Sequence, residues 1–252
     1  MRVAQLNANG LQQHKEEVKL FLKQNLIDIL LISETDFTNK NHFNIPGYDI
    51  CYTCHPDGTA QGDTAIIIKY TLEYYERPKH AEPTIQATPI TVSGLFYKIT
   101  IAAVYCPPRH NLKEGHFKAF FQTLGPRFLT GGDFNSKHTL WGSRLTSKKG
   151  RELAKLLQAN NSFLSAGSPT YWPTDTNKTP DLLDFFITNG ISKNDHHLRL
   201  FIVPPILIFL LGFTEYFCHV RLYIYIYIYI YIYPFQNFTA FFRQVQSGDT
   251  NS

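Results

Sequence analysis

Residues 128–135 read Phe-Leu-Thr-Gly-Gly-Asp-Phe-Asn, and the reading of that stretch decides the fold. Phe128-Leu129-Thr130 is too short an apolar run for a helix and predicts a brief buried strand. Two glycines follow, and then a carboxylate, Asp133, and an amide, Asn135, at the strand end. The same pattern occurs twice upstream, in Leu6-Asn7-Ala8-Asn9-Gly10 and in Leu31-Ile32-Ser33-Glu34-Thr35. Downstream, Asp184 sits inside the apolar run Leu182-Leu183-Asp184-Phe185-Phe186-Ile187. A buried carboxylate without a partner is costly, so each of these acids requires a metal, a cation or several donors. Oxygen-only ligands favour a hard cation such as Mg²⁺, which keeps several waters and binds through one or two carboxylates plus phosphate.

Working outward, strand-like and helix-like segments alternate. Arg2 to Asn9 reads as a strand and Leu11 to Asn25 as a helix, with Leu11, Val18, Phe21 and Leu22 at helical spacing. Ile27–Ile32, Tyr48–Tyr52 and Ala65–Lys69 read as strands, the first fully buried. Ile90–Val92, Leu95–Ile99 and Ile101–Tyr105 form an antiparallel group that Pro107-Pro108 stops. Glu114–Leu124 is helical, and Ser147 caps a further helix with Leu153, Leu156 and Leu157 on one face. Phe163-Leu164 and Leu182–Thr188 are the last strands. Strands outnumber helices and end in polar residues. The expected fold class is therefore α/β (α+β): a two-sheet β-sandwich flanked by helices rather than a doubly wound parallel sheet.

Composition bounds the rest. With 44% hydrophobic and 17% charged residues among 252, the chain can bury a full core, which excludes a disordered tail protein. A net charge of +4 without a basic run gives no strong non-specific affinity for DNA. Arg2, Gln5, Asn7 and Asn9 interrupt any apolar leader, so a nuclear or cytoplasmic protein is expected, not a secreted one. Cys51-Tyr52-Thr53-Cys54-His55 matches a haem-attachment pattern in five residues only, and it is read as structural. Beyond residue 197 the only charged residues are Arg199, Glu215, Arg221, Arg243 and Asp249. Tyr and Ile then alternate from Tyr223 to Tyr233, as an uninterrupted TA tract would be translated. Residues 192–252 are accordingly expected to be an aberrant tail rather than a domain. Its apolar block at 200–213 contains Pro204 and Pro205 and is too short and broken for a membrane span.

These motifs, with Tyr105-Cys106-Pro107-Pro108 and Lys137-His138-Thr139-Leu140-Trp141-Gly142-Ser143, resemble the endonuclease/exonuclease/phosphatase superfamily. The closest resemblance is to the apurinic-type endonuclease domain of jockey-like non-LTR retrotransposons, and it runs colinearly over residues 1 to about 191. The resemblance implies a DNase I-like fold, lacking its last strands here, with DNA as substrate, Mg²⁺ (or Mn²⁺) as cofactor and no small-molecule cofactor. It assigns Glu34 and Asn7 to the metal, Tyr105 to the scissile phosphate, and Asp133 and Asn135 to the attacking water and the phosphate. Asp184 would steady a histidine, and His138 and Trp141 would touch the substrate. The family pattern closes with Ser-Asp-His one strand further on. Here that register falls at Ile206–Leu210, with neither Asp nor His. Asp195-His196 is the only downstream Asp-His pair and comes too early for the intervening strand. The expected function is target-site nicking with impaired activity. A non-catalytic relic, or a phosphoesterase of the same fold, is the alternative.

Overall fold

The structure, a computed structural model, describes residues 1–203 except 38–42, 58, 60–61, 94–96, 160–162, 166–168, 172, 174–176, 178 and 192–197. Strands in chain order are β1 (Arg2–Asn7), β2 (Ile29–Ser33), β3 (Tyr48–Thr53), β4 (Thr64–Lys69), β5 (Tyr74–Glu76) and β6 (His80–Ala81). They continue as β7 (Gln86–Ser93), β8 (Lys98–Tyr105), β9 (Phe128–Asp133), β10 (Phe163–Ser165), β11 (Asp184–Asn189) and β12 (Arg199–Val203). Among the described residues three α-helices accompany them: α1 (Lys15–Gln24), α2 (Glu114–Leu124) and α3 (Lys148–Ala159). One sheet has the order β12-β1-β2-β4-β3. The other runs β10-β11-β9-β8-β7-β5, with β6 also paired to β7.

Three apolar clusters order these elements into layers. Val3, Ile29, Leu31, Ile66, Ile101, Leu129 and Phe186 fill the space between the sheets. Ala4, Leu30 and Ile32 pack on Val18, Phe21 and Leu22 of α1, outside the first sheet. Val104, Phe128 and Phe185 pack on Phe117, Phe120, Leu153 and Leu156 of α2 and α3, outside the second. The expected sandwich with outer helices is what forms.

Because side chains alternate between faces, the position of each strand-end polar residue follows from its apolar neighbours. Val3 faces the inter-sheet core, so Gln5 and Asn7 share that face. By the same count Ser33 follows Leu31, Asp133 follows Leu129, Tyr105 follows Ala103, and Asp184 precedes Phe186. The pairings align these ends, with Asn7 opposite Ser33, Tyr105 opposite Asp133, and Asp133 opposite Asp184.

One boundary differs from expectation. The sequence alone ends the domain at residue 191 and places 192–252 in an aberrant tail. The structure lays β12 in parallel against β1, Arg2 opposite Arg199 and Leu6 opposite Val203. Leu200 and Ile202 pack toward the inter-sheet core and Val203 toward α1. A parallel partner so distant in sequence leaves no local signal. The Tyr-Ile repeat lies outside the described residues. Among the described residues no helix is long and apolar enough to cross a membrane.

Candidate active site

Glycine lets the site form. At Gly132 φ is +146°, and a Cβ there would collide with the Val104 carbonyl of the neighbouring strand. Any other residue would push β9 off β8 and take Asp133 with it. Asp133 is 3% exposed, and three donors hold it. The backbone N–H of Asn135 donates to Oδ1 at 2.7 Å, and the Asn135 amide donates to Oδ2 at 2.8 Å. The Asn7 amide donates to Oδ2 from the other sheet at 3.3 Å. One carboxylate thus joins both sheets at their rim.

Glu34 follows β2 at φ +55°, a conformation that non-glycine residues rarely adopt. Its N–H donates to the Asp63 carbonyl at 3.0 Å, which fixes the turn. The Asn7 amide and the Tyr105 hydroxyl lie beside its carboxylate and favour its charged form. Asn9, Asp36, Asp63 and Asn135 also have positive φ, at +44°, +53°, +67° and +46°. Left-handed backbone at non-glycine residues therefore concentrates on the loops around this rim, where strain accompanies function in many proteins.

Electrostatics at the rim is one-sided. Burial pushes the Glu34 pKa up, the charge of Asp36 adds to this, and the donors from Asn7 and Tyr105 oppose it. Burial and the charges of Asp184 and Glu34 push Asp133 well above the carboxylate range, against the Asn135 N–H and Lys149. Asp184, which is 6% exposed, is raised by burial and by Glu34, and a hydrogen bond from Thr170 opposes that. Its Oδ1 is buried with no partner among the described residues. Burial and the Glu34 and Asp133 carboxylates raise the Tyr105 hydroxyl, which keeps it protonated and donating.

These are the residues the sequence singled out, and the structure brings Asn7, Glu34, Tyr105, Asp133, Asn135 and Asp184 to one end of the sandwich. Trp141 differs from expectation. It is 4% exposed, donates to the Ser136 carbonyl at 2.9 Å and packs on Phe185, so it holds the loop instead of facing substrate. His138 is half-buried, accepts the Leu140 N–H at 3.0 Å and leans on Trp141. Asp195 and His196 lie outside the described residues. Cys51 and Cys54, three apart, belong to the inter-sheet and the α1-side clusters, on opposite faces of the first sheet.

Four other residues bear on the site and escaped the sequence reading. Lys149 stands in sequence beside Lys148 and Arg151, in a basic stretch that reads as a solvated helix start. It is buried, it donates to the Pro107 carbonyl at 2.7 Å, and it lies near Asp133. The missed signal was its helical spacing with Leu153, Leu156 and Leu157. The Thr170 hydroxyl accepts the Asp184 N–H at 3.0 Å and fixes the start of β11. Asp181 forms an ion pair with Lys137 at 2.8 Å and accepts the N–H groups of Leu182 and Arg144. Asp63 is fully buried, and burial together with Asp36 and Asp57 pushes its pKa up to about 7. A lone acid in a turn announces neither burial nor partners.

Among the described residues no three His, Cys, Asp or Glu side chains gather in metal-ligand geometry. A hard cation that keeps most of its water needs no such cage. The rim is acidic, and its nearest ammonium, Lys149, is engaged by Pro107. Glu34 beside the Asn7 amide is a donor set that fits Mg²⁺.

Comparison with known proteins agrees with this geometry. Residues 99–200 match the family described as endonuclease-reverse transcriptase. The chain is 31% identical over 183 residues to the RNA-directed DNA polymerase from mobile element jockey of Drosophila funebris, covering 72% of this chain and 20% of that protein. Its Drosophila melanogaster counterpart is 32% identical over 191 residues, covering 75% and 21%. The chain therefore spans about a fifth of the length of these relatives. Among solved structures, the endonuclease domain of TRAS1, a telomere-specific non-LTR retrotransposon, superposes with a TM-score of 0.61 at 21% identity, over 75% of this chain and 84% of that one. The AP endonuclease LMAP from Leishmania major gives 0.59 at 13%, over 75% and 78%. The chain resembles the endonuclease/exonuclease/phosphatase superfamily and has the fold of its endonuclease domains. Within it, the resemblance is to the apurinic-type endonuclease domain of jockey-like non-LTR retrotransposons.

Proposed function

We propose that this site binds duplex DNA and is built to cleave a phosphodiester with Mg²⁺ or Mn²⁺, as a target-nicking domain, at a rate well below that of a complete site. The supporting observation is the rim itself, where the Asn7 amide of one sheet reaches Asp133 of the other, Asp133 stands opposite Asp184, and burial with neighbouring carboxylates raises Glu34, Asp133 and Asp184. Glu34 and Asn7 would hold the cation, which when bound supplies charge neutralisation for the phosphate oxygens. Tyr105, kept protonated, donates toward a phosphate oxygen. Asp133, fixed by Asn7 and Asn135, orients the water that attacks. Asp184 is poised to steady an imidazolium, and the register where the family carries that histidine reads Ile206–Leu210. The groups of such a site act as a unit, so loss of one removes several powers of ten in rate.

Plasmid nicking and DNA binding measured in parallel test this reading. Duplex DNA and Mn²⁺ should bind, with nicking close to background. Rapid nicking that vanishes in both Glu34→Gln and Asp133→Asn would overturn the impairment. Failure to bind DNA at all would overturn the function.

A further inference from the structure

Strand β8 ends at the rim with Tyr105 and starts at the far end with Lys98, about 23 Å away at the rise of a strand. Ile99 and Ile101 face the inter-sheet core, so Lys98 and Thr100 lie on the outer face of the second sheet. Tyr74 also packs inward, which puts Tyr75 on that outer face. Pairing lays Tyr75, Thr91, Thr100 and Phe128 side by side across β5, β7, β8 and β9. Arg77 braces this row against the end of α2, donating to Thr100 Oγ1 at 3.3 Å and to the Thr123 carbonyl at 2.9 Å.

Two ring–cation pairs adjoin here. The Lys98 ammonium lies 5.5 Å from the centre of the Tyr75 ring. The Arg127 guanidinium lies 4.5 Å from that of Tyr97, the residue before Lys98. Tyr97 and Arg127 immediately precede the parallel neighbours β8 and β9, and the Arg127 carbonyl accepts the Thr100 N–H at 3.1 Å. Tyr75 is 49% exposed, and both cations are exposed. Neither Lys98 nor Arg127 joins an ion pair among the described residues. Glu76, the next residue of β5, belongs to the opposite face and lies 3.9 Å from Lys79. Rings beside unpaired cations match a chain that alternates flat bases with anions. An unpaired nucleic-acid strand has that chemistry, because its bases stack on tyrosine rings and guanidinium planes while its phosphates meet the cations. A duplex keeps its base faces inside its own stack.

We infer that Tyr75, Lys98, Tyr97 and Arg127 form a binding platform for single-stranded nucleic acid, remote from the rim and independent of it. The chain would then hold an unpaired strand and a duplex at opposite ends of β8.

Fluorescence anisotropy on the full chain tests this, with labelled oligo(dT) and oligo(U) of about ten nucleotides and a duplex as probes. One or both single strands should bind, and the tighter one identifies DNA or RNA as the source. Tyr75→Ala with Arg127→Gln, a surface change that leaves the circular dichroism unaltered, should weaken single-strand binding about tenfold and duplex binding less than about twofold. Tyr75→Phe should bind as the parent does, because the ring stacks and the hydroxyl does not. Lys98→Gln should lower the slope of log affinity against log salt by about 0.7 for the single strand alone. No binding of either single strand, or binding that survives the double variant or falls equally with that of the duplex, overturns the platform and leaves the rim reading intact. Displacement by polyglutamate as readily as by unlabelled strand shows an anion surface without stacking and overturns it too. Single-strand binding with no duplex binding supports the platform and defeats the rim reading.

Discussion

Asp181 and Asp184 are three residues apart, and both are nearly closed to solvent, at 2% and 6% exposure. Their chemistry is opposite. Burial pushes Asp181 up, but the Lys137 ammonium at 2.8 Å and the N–H groups of Leu182 and Arg144 outweigh it, so its pKa ends below the ordinary value. Asp184 has Thr170 on one side and the charge of Glu34 on the other, and its pKa rises. One acid is a rivet and the other an unfilled valence. What separates these two carboxylates is therefore their partner sets, not their burial.

The largest expected effect separates these two directly. Asp181→Ala strands Lys137 and frees the loop at Arg144, and should lose about 3 kcal/mol in urea unfolding. Asp184→Asn should stay within about 1 kcal/mol of the parent or stabilise it. Equal losses would end the distinction. Asp63 sharpens it through pH. Its folded pKa of about 7 stands above the ordinary 3.8, so its charge opposes folding at high pH, and that penalty fades as pH falls toward the ordinary value. Asp63→Asn should therefore stabilise by about 2 kcal/mol at pH 8 and by almost nothing at pH 4, read from unfolding curves at both.

Divalent cation bound at the rim should stabilise the fold by about 1.4 kcal/mol when present at ten times its dissociation constant. The gain in melting temperature should shrink from pH 8 to pH 5, because protons compete for the raised Glu34 carboxylate, and it should vanish in Glu34→Gln. A shift that survives Glu34→Gln would move the cation elsewhere. The smallest effect is Trp141→Phe, which removes the bond to the Ser136 carbonyl and should lose about 1 kcal/mol. A change in DNA affinity without a change in stability would return Trp141 to the surface.

The rim was legible because apolar strands announced their own ends. Asn7, Glu34, Asp133 and Asp184 each interrupt a run whose burial the neighbours already specify, and parity turns that run into a shared face. Local periodicity found β9 and α2, and Glu114–Leu124 forms as read, whereas Ile99 and Ile101–Tyr105, read as parts of two runs, lie on the single strand β8. Tertiary closure lies beyond such cues. β12 looked like the start of a tail because its partner, β1, stands nearly two hundred positions earlier. Trp141 sits among polar residues that suggest exposure, and nothing nearby shows that Phe185 covers it. Lys149 could have been caught, since it falls on the Leu153–Leu157 stripe, but its two basic neighbours concealed that.

The placement of β12 separates architecture from chemistry. The pairing of β12 with β1 ends at Val203, and the register in which the resemblance places Ser-Asp-His, Ile206–Leu210, comes after that point in the chain. Sequence change beyond Val203 would therefore leave intact the pairing that aligns Asn7, Tyr105, Asp133 and Asp184.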